Sequence, residues 1–378
     1  MTSRSDQATA RTALPRIGVE EEFLLVDRTS RTSFGSAAAV VKRARDRLAD
    51  RVGPEIFTDM VETRTRPVAD LAGLRAELTE LRAGVAGAAD EAGCLALASG
   101  TAPLAPRGGQ ELTDEARYRR IADRYGPLVT AVSGIGVCGC HVHLEVADRE
   151  EAVRLSNRLR PWLPALQSLA ANSPFHCGRD SGYASWRFMR WAQLPGAGPA
   201  PLLADAAEYD LLVDRLVGSG MLVDRRTVYW HCRPNEHWPT LEVRVADVCA
   251  GLDTVLLLAG LLRGLAAALL TEVRQGVPAP EISDALLRAA HWRSARDGLA
   301  GHGLDPLSGT PRPAVELVKD LLAKAAPALA AAGEIDLVRE LWARQRVAGC
   351  GAARQRAVFA RRGRLADVVD EVALRADA

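Results

Sequence analysis

An α+β fold with antiparallel strands is predicted for this chain of 378 residues. Segments with the period-two alternation of strands lie within residues 17–247, with helices between them, whereas residues 253–348 are predicted as consecutive helices. This order lacks the regular strand–helix–strand series of a parallel doubly wound sheet. We therefore expect one domain over residues 16–365, a disordered N-terminal tail over residues 1–15 and a C-terminal tail over residues 366–378.

The first predicted strand, Ile17–Asp27, carries three consecutive carboxylates. Strand side chains alternate between faces, so Glu20 and Glu22 share one face and Glu21 lies on the other with the apolar residues. Two neighbouring carboxylates repel each other unless a positive charge lies between them, and Mg²⁺ prefers such hard oxygen ligands. The pattern predicts a divalent-cation site; an edge strand whose charges face water is the alternative.

The second predicted strand, Phe57–Arg64, places Met60, Glu62 and Arg64 on one face. An amphipathic helix over Asp70–Asp90 follows, with leucines at helical spacing. The later elements are expected in chain order: a short strand over Cys94–Ser99, a strand over His141–Val146, a helix over Glu150–Ser173 with prolines at positions 161 and 164, a loop over Asn172–Gly198, paired strands over Val228–Arg233 and Thr240–Asp247, helices over Asp253–Gln275, Ser283–Gly298, Ala314–Ala332 and Glu334–Ala348, and a basic tail region over Gln355–Arg364.

The strand that begins at His141 is a second candidate for metal chemistry. Its alternation places His141, His143 and Glu145 on one face, and two histidines beside a glutamate suit a metal or phosphate-handling surface. The HExxH and three-histidine arrangements that identify zinc are absent from this motif. The alternative is a pair of core histidines with satisfied hydrogen bonds.

The segment LEVRV, residues 241–245, alternates cleanly between apolar and charged residues. Leu241, Val243 and Val245 are expected to face the core, and Glu242 and Arg244 to share the other face. This charged face is a candidate part of the site. A weak same-face ion pair is the alternative interpretation.

The long loop over Asn172–Gly198 is rich in Gly, Pro, Arg and aromatic residues. Connections of this length are usually functional or disordered, and the aromatic residues argue against disorder. Arginines beside aromatic rings suit a polyanionic or planar ligand such as a nucleotide, so we expect Ser173–Trp191 to lie over the site, with Arg187 contacting an anion. An ordered interface loop is the alternative. The residues of interest are Arg179, Tyr183, Trp186, Arg187, Arg190 and Trp191.

The charge balance argues against partners that are recognised by a strong overall field. The chain has 48 Lys and Arg against 47 Asp and Glu, a net charge of +1, so we expect neither nucleic acid nor a membrane as partner. Lysine occurs only at positions 42, 319 and 324, and no GxxxxGK[ST] phosphate loop is present. Phosphate binding would therefore depend on arginine and metal.

A cytoplasmic location is expected from the cysteines and the N-terminus. The 7 cysteines are scattered without CxxC pairs, as is typical of reduced thiols. Residues 1–16 are polar and lack the apolar stretch of a signal peptide. Val255–Leu270 is apolar but short and contains Arg263, which suits a buried helix better than a membrane span.

In their combination and order, these segments resemble the carboxylate-amine ligase family, the type 2 glutamate–cysteine ligases. The matching stretches run from residue 18 to about residue 356 and cover nearly the whole chain. They are GVEEEFLLVD (18–27), MVETRT (60–65), GCHVHLEV (139–146), SPFHCGRDSGYASWR (173–187), YWHCRPNEHWPTLEVRVADV (229–248) and GCGAARQR (349–356).

The resemblance implies the glutamine synthetase/guanido kinase-like catalytic fold, a curved antiparallel sheet with helices packed outside. It also implies ATP with Mg²⁺, or Mn²⁺ in its place, and γ-glutamyl-type amide formation through an acyl phosphate. Small-molecule carboxylate and amine substrates and a homodimer are expected with it.

Carried over by position, the resemblance also implies a set of site residues. The metal ligands would be Glu20, Glu22, Glu62, Glu242 and a histidine from 141 or 143, with His141 the better fit. For catalysis we expect Arg187, Arg233 and Arg244. For substrate or ATP binding we expect Arg64, His143, Arg179, Tyr183 and His231.

Two positions near the expected site depart from the family pattern. His231 stands where members commonly have an acidic residue, and Glu145 where they usually carry Gly. Because His231 and Arg233 are two residues apart on a predicted strand, both would face the site, and an anchor for an α-ammonium group would be missing. We therefore expect weak glutamate–cysteine ligase activity and better activity with another carboxylate or amine.

Two other functions stay open at this point. Guanidino phosphoryl transfer on a similar fold would stop at phosphorylation and need no amine pocket. A non-catalytic small-molecule binding protein on the same fold would usually have lost some metal carboxylates, whereas all four inferred glutamates are present.

Overall fold

The computed structural model describes residues 14–104, 110–130 and 136–376. The N-terminal tail expected over residues 1–15 lies outside these ranges except for its last two residues. Leu14 is buried, and the Pro15 carbonyl accepts a hydrogen bond from Arg263 Nε at 2.8 Å. The chain is therefore already packed against the domain at residue 14.

The described residues form thirteen strands and fourteen α-helices. The strands are β1 (Ile17–Asp27), β2 (Val52–Pro54), β3 (Met60–Arg64), β4 (Cys94–Leu97), β5 (Gly139–Glu145), β6 (Phe175–His176), β7 (Arg179–Asp180), β8 (Ala197–Gly198), β9 (Tyr229–Trp230), β10 (Cys232–Pro234), β11 (Thr240–Asp247), β12 (His302–Asp305) and β13 (Thr310–Pro313). The helices are α1 (Ala37–Leu48), α2 (Leu71–Glu91), α3 (Ala116–Tyr125), α4 (Pro127–Thr130), α5 (Arg149–Leu159), α6 (Leu163–Ala170), α7 (Trp186–Trp191), α8 (Ala206–Gly218), α9 (Leu252–Arg274), α10 (Asp284–Asp297), α11 (Ala314–Ala332), α12 (Ile335–Ala348), α13 (Gly351–Arg362) and α14 (Leu365–Val372).

A seven-stranded antiparallel sheet forms the centre of the protein. Its strand order is β10-β11-β5-β1-β3-β2, and β4 also pairs with β1. Strand β1 therefore lies in the interior of the sheet, which rules out the edge-strand alternative for its three glutamates. The antiparallel α+β class expected from the sequence is confirmed.

The register of the sheet brings the polar residues of different strands side by side. Glu20 of β1 is paired with His141 of β5, and Glu22 with Glu62 of β3. On the other side of β5, His143 is paired with Glu242 of β11. Because side chains of directly paired residues point to the same face, these six residues share one face of the sheet.

The opposite face of the sheet packs against helices. Helix α9 lies against β5 and β1, surrounded by α2, α5, α6, α11 and α12. Its apolar window is long enough to span a membrane by length and composition alone, but 89% of that window is buried inside the protein. The buried helix expected over Val255–Leu270 is therefore the central core helix, and its Arg263 is paired with Glu334 at 2.6 Å.

Glu21 faces these helices, as the alternation of β1 predicted. It is fully buried and accepts hydrogen bonds from Arg82 of α2, at 2.9 Å from Nε and 2.5 Å from Nη2. Arg82 also donates to the carbonyls of Cys249 and Ala250. The ion pair therefore ties β1 and α2 to the segment that leads into α9.

Three expectations about the elements need correction. The helix expected over Glu150–Ser173 is two helices, α5 and α6, broken at Pro161, which lacks the N–H that continues a helix. The basic region Gln355–Arg364 belongs largely to helix α13. The expected C-terminal tail begins inside α14, whose Val368, Val369 and Val372 are buried, so the domain extends beyond residue 365.

Candidate active site

A cavity of about 280 Å³ opens on the polar face of the sheet. Residues of β1, β3, β5, β10 and β11 form its floor, and α3 and the hairpin between β10 and β11 contribute to its walls. The alternation of the strands explains this polarity, since most apolar residues of the same strands face the helices instead.

Two groups of potential metal ligands lie on the cavity floor and share His141. Glu20, His141 and Glu242 form one group and Glu22, Glu62 and His141 the other, each with ligand atoms within 4.8 Å of one another. His141 Nδ1 lies 3.7 Å from Glu20 and 3.9 Å from Glu242, and Nε2 lies 3.9 Å from Glu22. The structure thus brings together all five residues expected to bind metal.

His141 is buried, and neither ring nitrogen has a hydrogen-bond partner within the described part of the chain. A buried polar group without a partner is costly. Burial and the nearby Arg244 lower the pKa of His141 to about 3, so the ring stays neutral, the form that binds metal. A neutral imidazole has one lone pair, so one of these nitrogens fits a divalent cation and the other would carry the proton towards a carboxylate.

The carboxylates of the floor repel one another. Burial and the nearby Glu20, Glu55 and Glu22 raise the pKa of Glu62 well above its usual range. Burial and Glu55 raise the pKa of Glu22 to about 7. Positive charge placed between these groups would relieve the repulsion that raises both values.

Two arginines hold Glu242 in place, Arg233 on β10 and Arg244 on β11. Arg233 Nε lies 2.9 Å from Glu242 Oε2, and Arg244 is also hydrogen-bonded to this carboxylate. Burial raises the pKa of Glu242, but Arg233 and Arg244 outweigh it and hold the pKa well below its usual range. The same-face ion pair proposed as an alternative is therefore present, and it fixes an ionised carboxylate beside His141.

His143 does not line the cavity, unlike His141. Its Nε2 is 3.4 Å from Glu20, and its Nδ1 is 3.1 Å from the hydroxyl of Thr240. It belongs to neither group of potential ligands. Its position suits orientation of the Glu20 carboxylate, and the choice of His141 over His143 as the histidine of the ligand groups agrees with the geometry.

The Arg-rich loop reaches the site with only part of its length. Trp191 lines the cavity, and Arg187 lies beneath the floor, where its guanidinium donates to the Arg244 carbonyl at 3.4 Å. Arg187 is buried and does not line the cavity. It lowers the pKa of Glu22, against the larger opposite effect of burial, so it acts on the floor through the protein interior.

Two other residues expected to bind substrate lie away from the cavity. Arg179 is exposed on the short strand β7. Tyr183 packs against Trp186, with ring centroids 5.4 Å apart, and against Trp292. Neither residue lines the cavity, and the expectation that the whole loop covers the site is wrong for this part of it.

His231 does not face the site either. The chain bends between β9 and β10 at this residue, so the strand alternation that would place His231 beside Arg233 is interrupted. The His231 ring is buried behind the cavity, with Nδ1 3.0 Å from His291 Nε2 and its ring against Phe188. Its identity therefore does not change the charge that lines the cavity, and the argument for weak cysteine activity loses its basis.

Several cavity residues were not found from the sequence. Arg117 and Tyr118 lie on α3, whose short polar stretch gave no clear apolar periodicity, and Glu55 lies in the irregular segment after β2. The only available signal was the polar and aromatic turn NEHW before the LEVRV strand. The residues concerned are Glu55, Arg117, Tyr118, Arg225, Arg226, Tyr229, Asn235, Glu236, His237 and Trp238.

Comparisons with known proteins agree with this arrangement. The model of glutamate-cysteine ligase family 2 matches residues 16–371. A protein of Mycobacterium sp. (strain KMS) named "Putative glutamate--cysteine ligase 2-2" is 47% identical over 362 residues, covering 96% of this chain and 98% of the relative. One of Salinispora arenicola (strain CNS-205), named "Putative glutamate--cysteine ligase 2", is 44% identical and covers 91% of this chain and 90% of the relative.

A solved structure shares the fold at low sequence identity. The glutamate–cysteine ligase of Francisella tularensis, solved in complex with AMP, superposes with a TM-score of 0.68 at 12% identity. The match covers 95% of this chain and 88% of that protein.

Proposed function

The chain belongs to glutamate-cysteine ligase family 2, and from this we infer that it is an ATP-dependent enzyme that joins a carboxylate to an amine. The observation that carries the inference is the pair of carboxylate–histidine groups that share His141 on the cavity floor. Family membership favours amide formation over guanidino phosphoryl transfer. The complete ligand set argues against a binding protein that has lost catalysis.

We propose that the floor binds Mg²⁺ or Mn²⁺ through Glu20, Glu22, Glu62, His141 and Glu242. Their donors are carboxylate oxygens and one neutral imidazole, which are suitable ligands for these ions. When bound, such cations neutralise the phosphate oxygens of ATP. We also propose that the fold is of the glutamine synthetase/guanido kinase-like type.

The arginines of the cavity would have two different tasks. Arg233 and Arg244 are bound to Glu242 and keep it ionised and in place. Arg64 and Arg226 also line the cavity, and within the described residues no carboxylate lies within the 4.0 Å ion-pair distance of either. These two side chains are therefore our candidates for direct contact with phosphate.

The reaction we propose proceeds through an acyl phosphate. A carboxylate is a poor electrophile, and transfer of the γ-phosphate to one of its oxygens gives it a leaving group. This step brings two anions together, which explains why the cavity combines a cation site with arginines. The neutral amine then attacks the acyl carbon, forming the C–N bond as the C–O bond to phosphate breaks.

A nominal pair of substrates is glutamate, through its γ-carboxylate, and cysteine. We also propose a cytoplasmic location, which the free state of the seven cysteines supports. A homodimer remains the expectation from the family resemblance.

The proposed function is tested by substrate-dependent release of ADP. The native protein is supplied with MgATP, L-glutamate and each of the common amino acids or small amines in turn. ADP release that requires both a carboxylate and an amine, with formation of the amide, supports a ligase. ADP release that requires a guanidino compound alone, or no release with any pair, would contradict it.

A further inference from the structure

A second groove lies on the surface between α5, the beginning of α8 and the end of α9. Its volume of about 550 Å³ is larger than that of the cavity on the sheet. None of the residues that line it lines that cavity or belongs to the ligand groups around His141. The groove is therefore a separate feature, to which the proposed reaction assigns no task.

Hydrogen bonds hold both walls of the groove in place. Asn157 of α5 binds the backbone of Leu203 twice, since its Nδ2 donates to the Leu203 carbonyl at 2.6 Å and its Oδ1 accepts the Leu203 N–H at 3.2 Å. On the other wall, the Val277 N–H donates to the Glu272 carbonyl at 3.0 Å, and the Val277 carbonyl accepts from Arg158 Nη2. The groove is therefore formed in advance by the fold, as small-molecule sites usually are.

Arg158 lies in the wall of the groove as a buried cation without a counter-charge. It is 8% exposed, and among the described residues no carboxylate oxygen lies within the 4.0 Å ion-pair distance of its guanidinium. The carbonyls of Arg154 and Val277 use two of its five N–H donors, and in the described chain Nε has no partner. Burial lowers the pKa of Arg158, because a buried charge is costly unless an opposite charge binds it. This arginine is therefore suited to a carboxylate ligand.

Two carboxylates at the rim of the groove carry the opposite charge. Glu208 and Glu281 are exposed and line the groove, and neither has a Lys, Arg or His nitrogen within 4.0 Å in the ranges that the structure covers. Arg154, the other cation of the groove, is neutralised by Glu150 at 2.6 Å. A simple anion would be attracted by Arg158 but repelled by the rim, whereas a zwitterion meets a complementary charge at both ends.

The rest of the groove is largely apolar. Leu202 and Val277 line its two walls, and each is 40% exposed, although large apolar side chains are usually buried. Val273 and Pro278 extend the same surface. An aliphatic or aromatic group placed between the walls would cover apolar area that is now in contact with water.

We propose that this groove binds an apolar α-amino acid, with its carboxylate at Arg158, its ammonium group at the rim carboxylates and its side chain between Leu202 and Val277. An amino acid of the leucine or phenylalanine type offers these three features together. This binding does not depend on the proposed ligase function, since no residue of the cavity on the sheet takes part in it.

The test is calorimetry of L-leucine and L-phenylalanine binding to the native protein, without ATP or metal. Arg158→Gln should raise the Kd about 10- to 150-fold, because the variant loses the charged hydrogen bond to the ligand carboxylate. Two analogues of leucine test the charges of the ligand. Isocaproate lacks the ammonium group and isoamylamine lacks the carboxylate, so each should bind native protein at least about 10-fold more weakly than L-leucine.

Leu202→Ser tests the apolar contact at a surface position, where folding is not at stake. It should raise the Kd about 5-fold. Leu211→Ser is the matched control, because Leu211 is another exposed leucine but does not line the groove, and its Kd should equal that of native protein. If thermal melting shows that Arg158→Gln does not fold, Leu202→Ser and the two analogues decide.

Three results would overturn the proposal. The first is the absence of binding of either amino acid up to about 10 mM. The second is a Kd that both Arg158→Gln and Leu202→Ser leave unchanged, which would place the amino acid outside the groove. The third is isocaproate binding as tight as that of L-leucine, which would show that the rim carboxylates do not bind an ammonium group.

Discussion

The guanidinium of Arg187 occupies the space in which a side chain at Gly139 would lie. A Cβ on Gly139 would be 2.3 Å from Arg187 Nη2 and 2.8 Å from His141 Nε2. The N–H of Gly139 also donates to Glu22 at 2.6 Å. The first residue of β5 is therefore a glycine because the arginine, the histidine and a floor carboxylate all approach its backbone closely.

Gly139→Ala should lower both stability and activity. The added methyl group must displace Arg187 or His141, and overpacking of this kind costs about 1–3 kcal/mol in the free energy of unfolding. The double variant Gly139→Ala/Arg187→Ala removes one of the two clashes, so its destabilisation should be smaller than the sum of the single changes. Urea unfolding of the four proteins measures this coupling, and strictly additive changes would show that Arg187 does not fill the space.

Replacement of a floor carboxylate should abolish the effect of metal on stability as well as the activity. In native protein, Mg²⁺ at 100 times its dissociation constant should add about 2.7 kcal/mol to the free energy of unfolding, if it binds only the folded state. Glu62→Gln should lose most of this increment and reduce turnover by orders of magnitude. Because Glu62 is repelled by Glu20, Glu22 and Glu55, the metal-free variant should melt no lower than native protein. A Glu62→Gln protein with native turnover would show that the floor is not the metal site.

Glu21→Gln should lower the stability but keep the response to Mg²⁺, although Glu21 is the direct neighbour of two floor residues. Its carboxylate is paired with Arg82 in the core, and removing one partner of a buried ion pair costs about 3–5 kcal/mol. The variant should therefore melt well below native protein, yet whatever folds should retain its response to Mg²⁺. Thermal melts with and without Mg²⁺, run beside those of Glu62→Gln, test this division of tasks.

The contrast between Glu21 and its neighbours was accessible from the sequence, because it depends only on the alternation of a regular strand. The same rule correctly placed Glu62 and Arg64 on the cavity side of β3, and Leu241, Val243 and Val245 in the core. Where the backbone is regular, residue spacing was enough to predict the faces.

The rule failed where the backbone is irregular. His231 lies at the bend between β9 and β10, so its side chain turns away from the face that Arg233 shares. Glu55 follows the three-residue strand β2, and its place in the cavity wall depends on Thr113, a residue far away in the sequence. Neither a bend of one residue nor a long-range contact of this kind has a periodic signal from which it could be predicted.

The buried histidine pair behind the cavity should make the protein less stable in mild acid. Gln167 donates to the His291 carbonyl at 3.1 Å and accepts from His291 Nδ1 at 2.6 Å, so His291 Nε2 is left to accept from His231 Nδ1. These bonds require a neutral His291 ring in the folded state. Burial lowers the pKa of His231 to about 3, with smaller effects of Arg288 and Arg187, and burial lowers that of His291 well below its usual range.

Since unfolded histidine titrates at about 6.5, the unfolded chain binds protons that the folded protein refuses. The free energy of unfolding should therefore fall as the pH drops below about 6.5, by up to about 1.4 kcal/mol per pH unit for each ring. Above that pH the pair should not change how the free energy of unfolding depends on pH. Urea unfolding of native protein and His231→Asn at pH 8, 7, 6 and 5 isolates one ring, and the variant should show the shallower decline. Parallel pH curves for the two proteins would mean that His231 takes up its proton in the folded protein as it does in the unfolded chain.

Trp238 should bind the base of ATP. The side chain is 70% exposed at the cavity wall, which is unusual for so large an apolar group. Asn235 Oδ1 fixes the turn by accepting the N–H groups of His237 at 2.9 Å and Trp238 at 3.1 Å. Trp238 is four residues from Glu242, so their Cα atoms are at most about 14 Å apart, which suits a nucleotide extending from the metal groups along the hairpin.

Trp238→Ala should therefore raise the KM for ATP about 5- to 150-fold, since stacking of a base on an aromatic ring contributes about 1–3 kcal/mol. The turnover number should change little, because stacking on the base affects the binding of ATP rather than the reacting groups. Trp238→Phe keeps a stacking surface and should retain most of the affinity, which separates stacking from damage to the turn. The ATP dependence of ADP release and calorimetry of MgATP binding measure both effects. If Trp238→Ala binds MgATP as native protein does, the base lies elsewhere in the cavity.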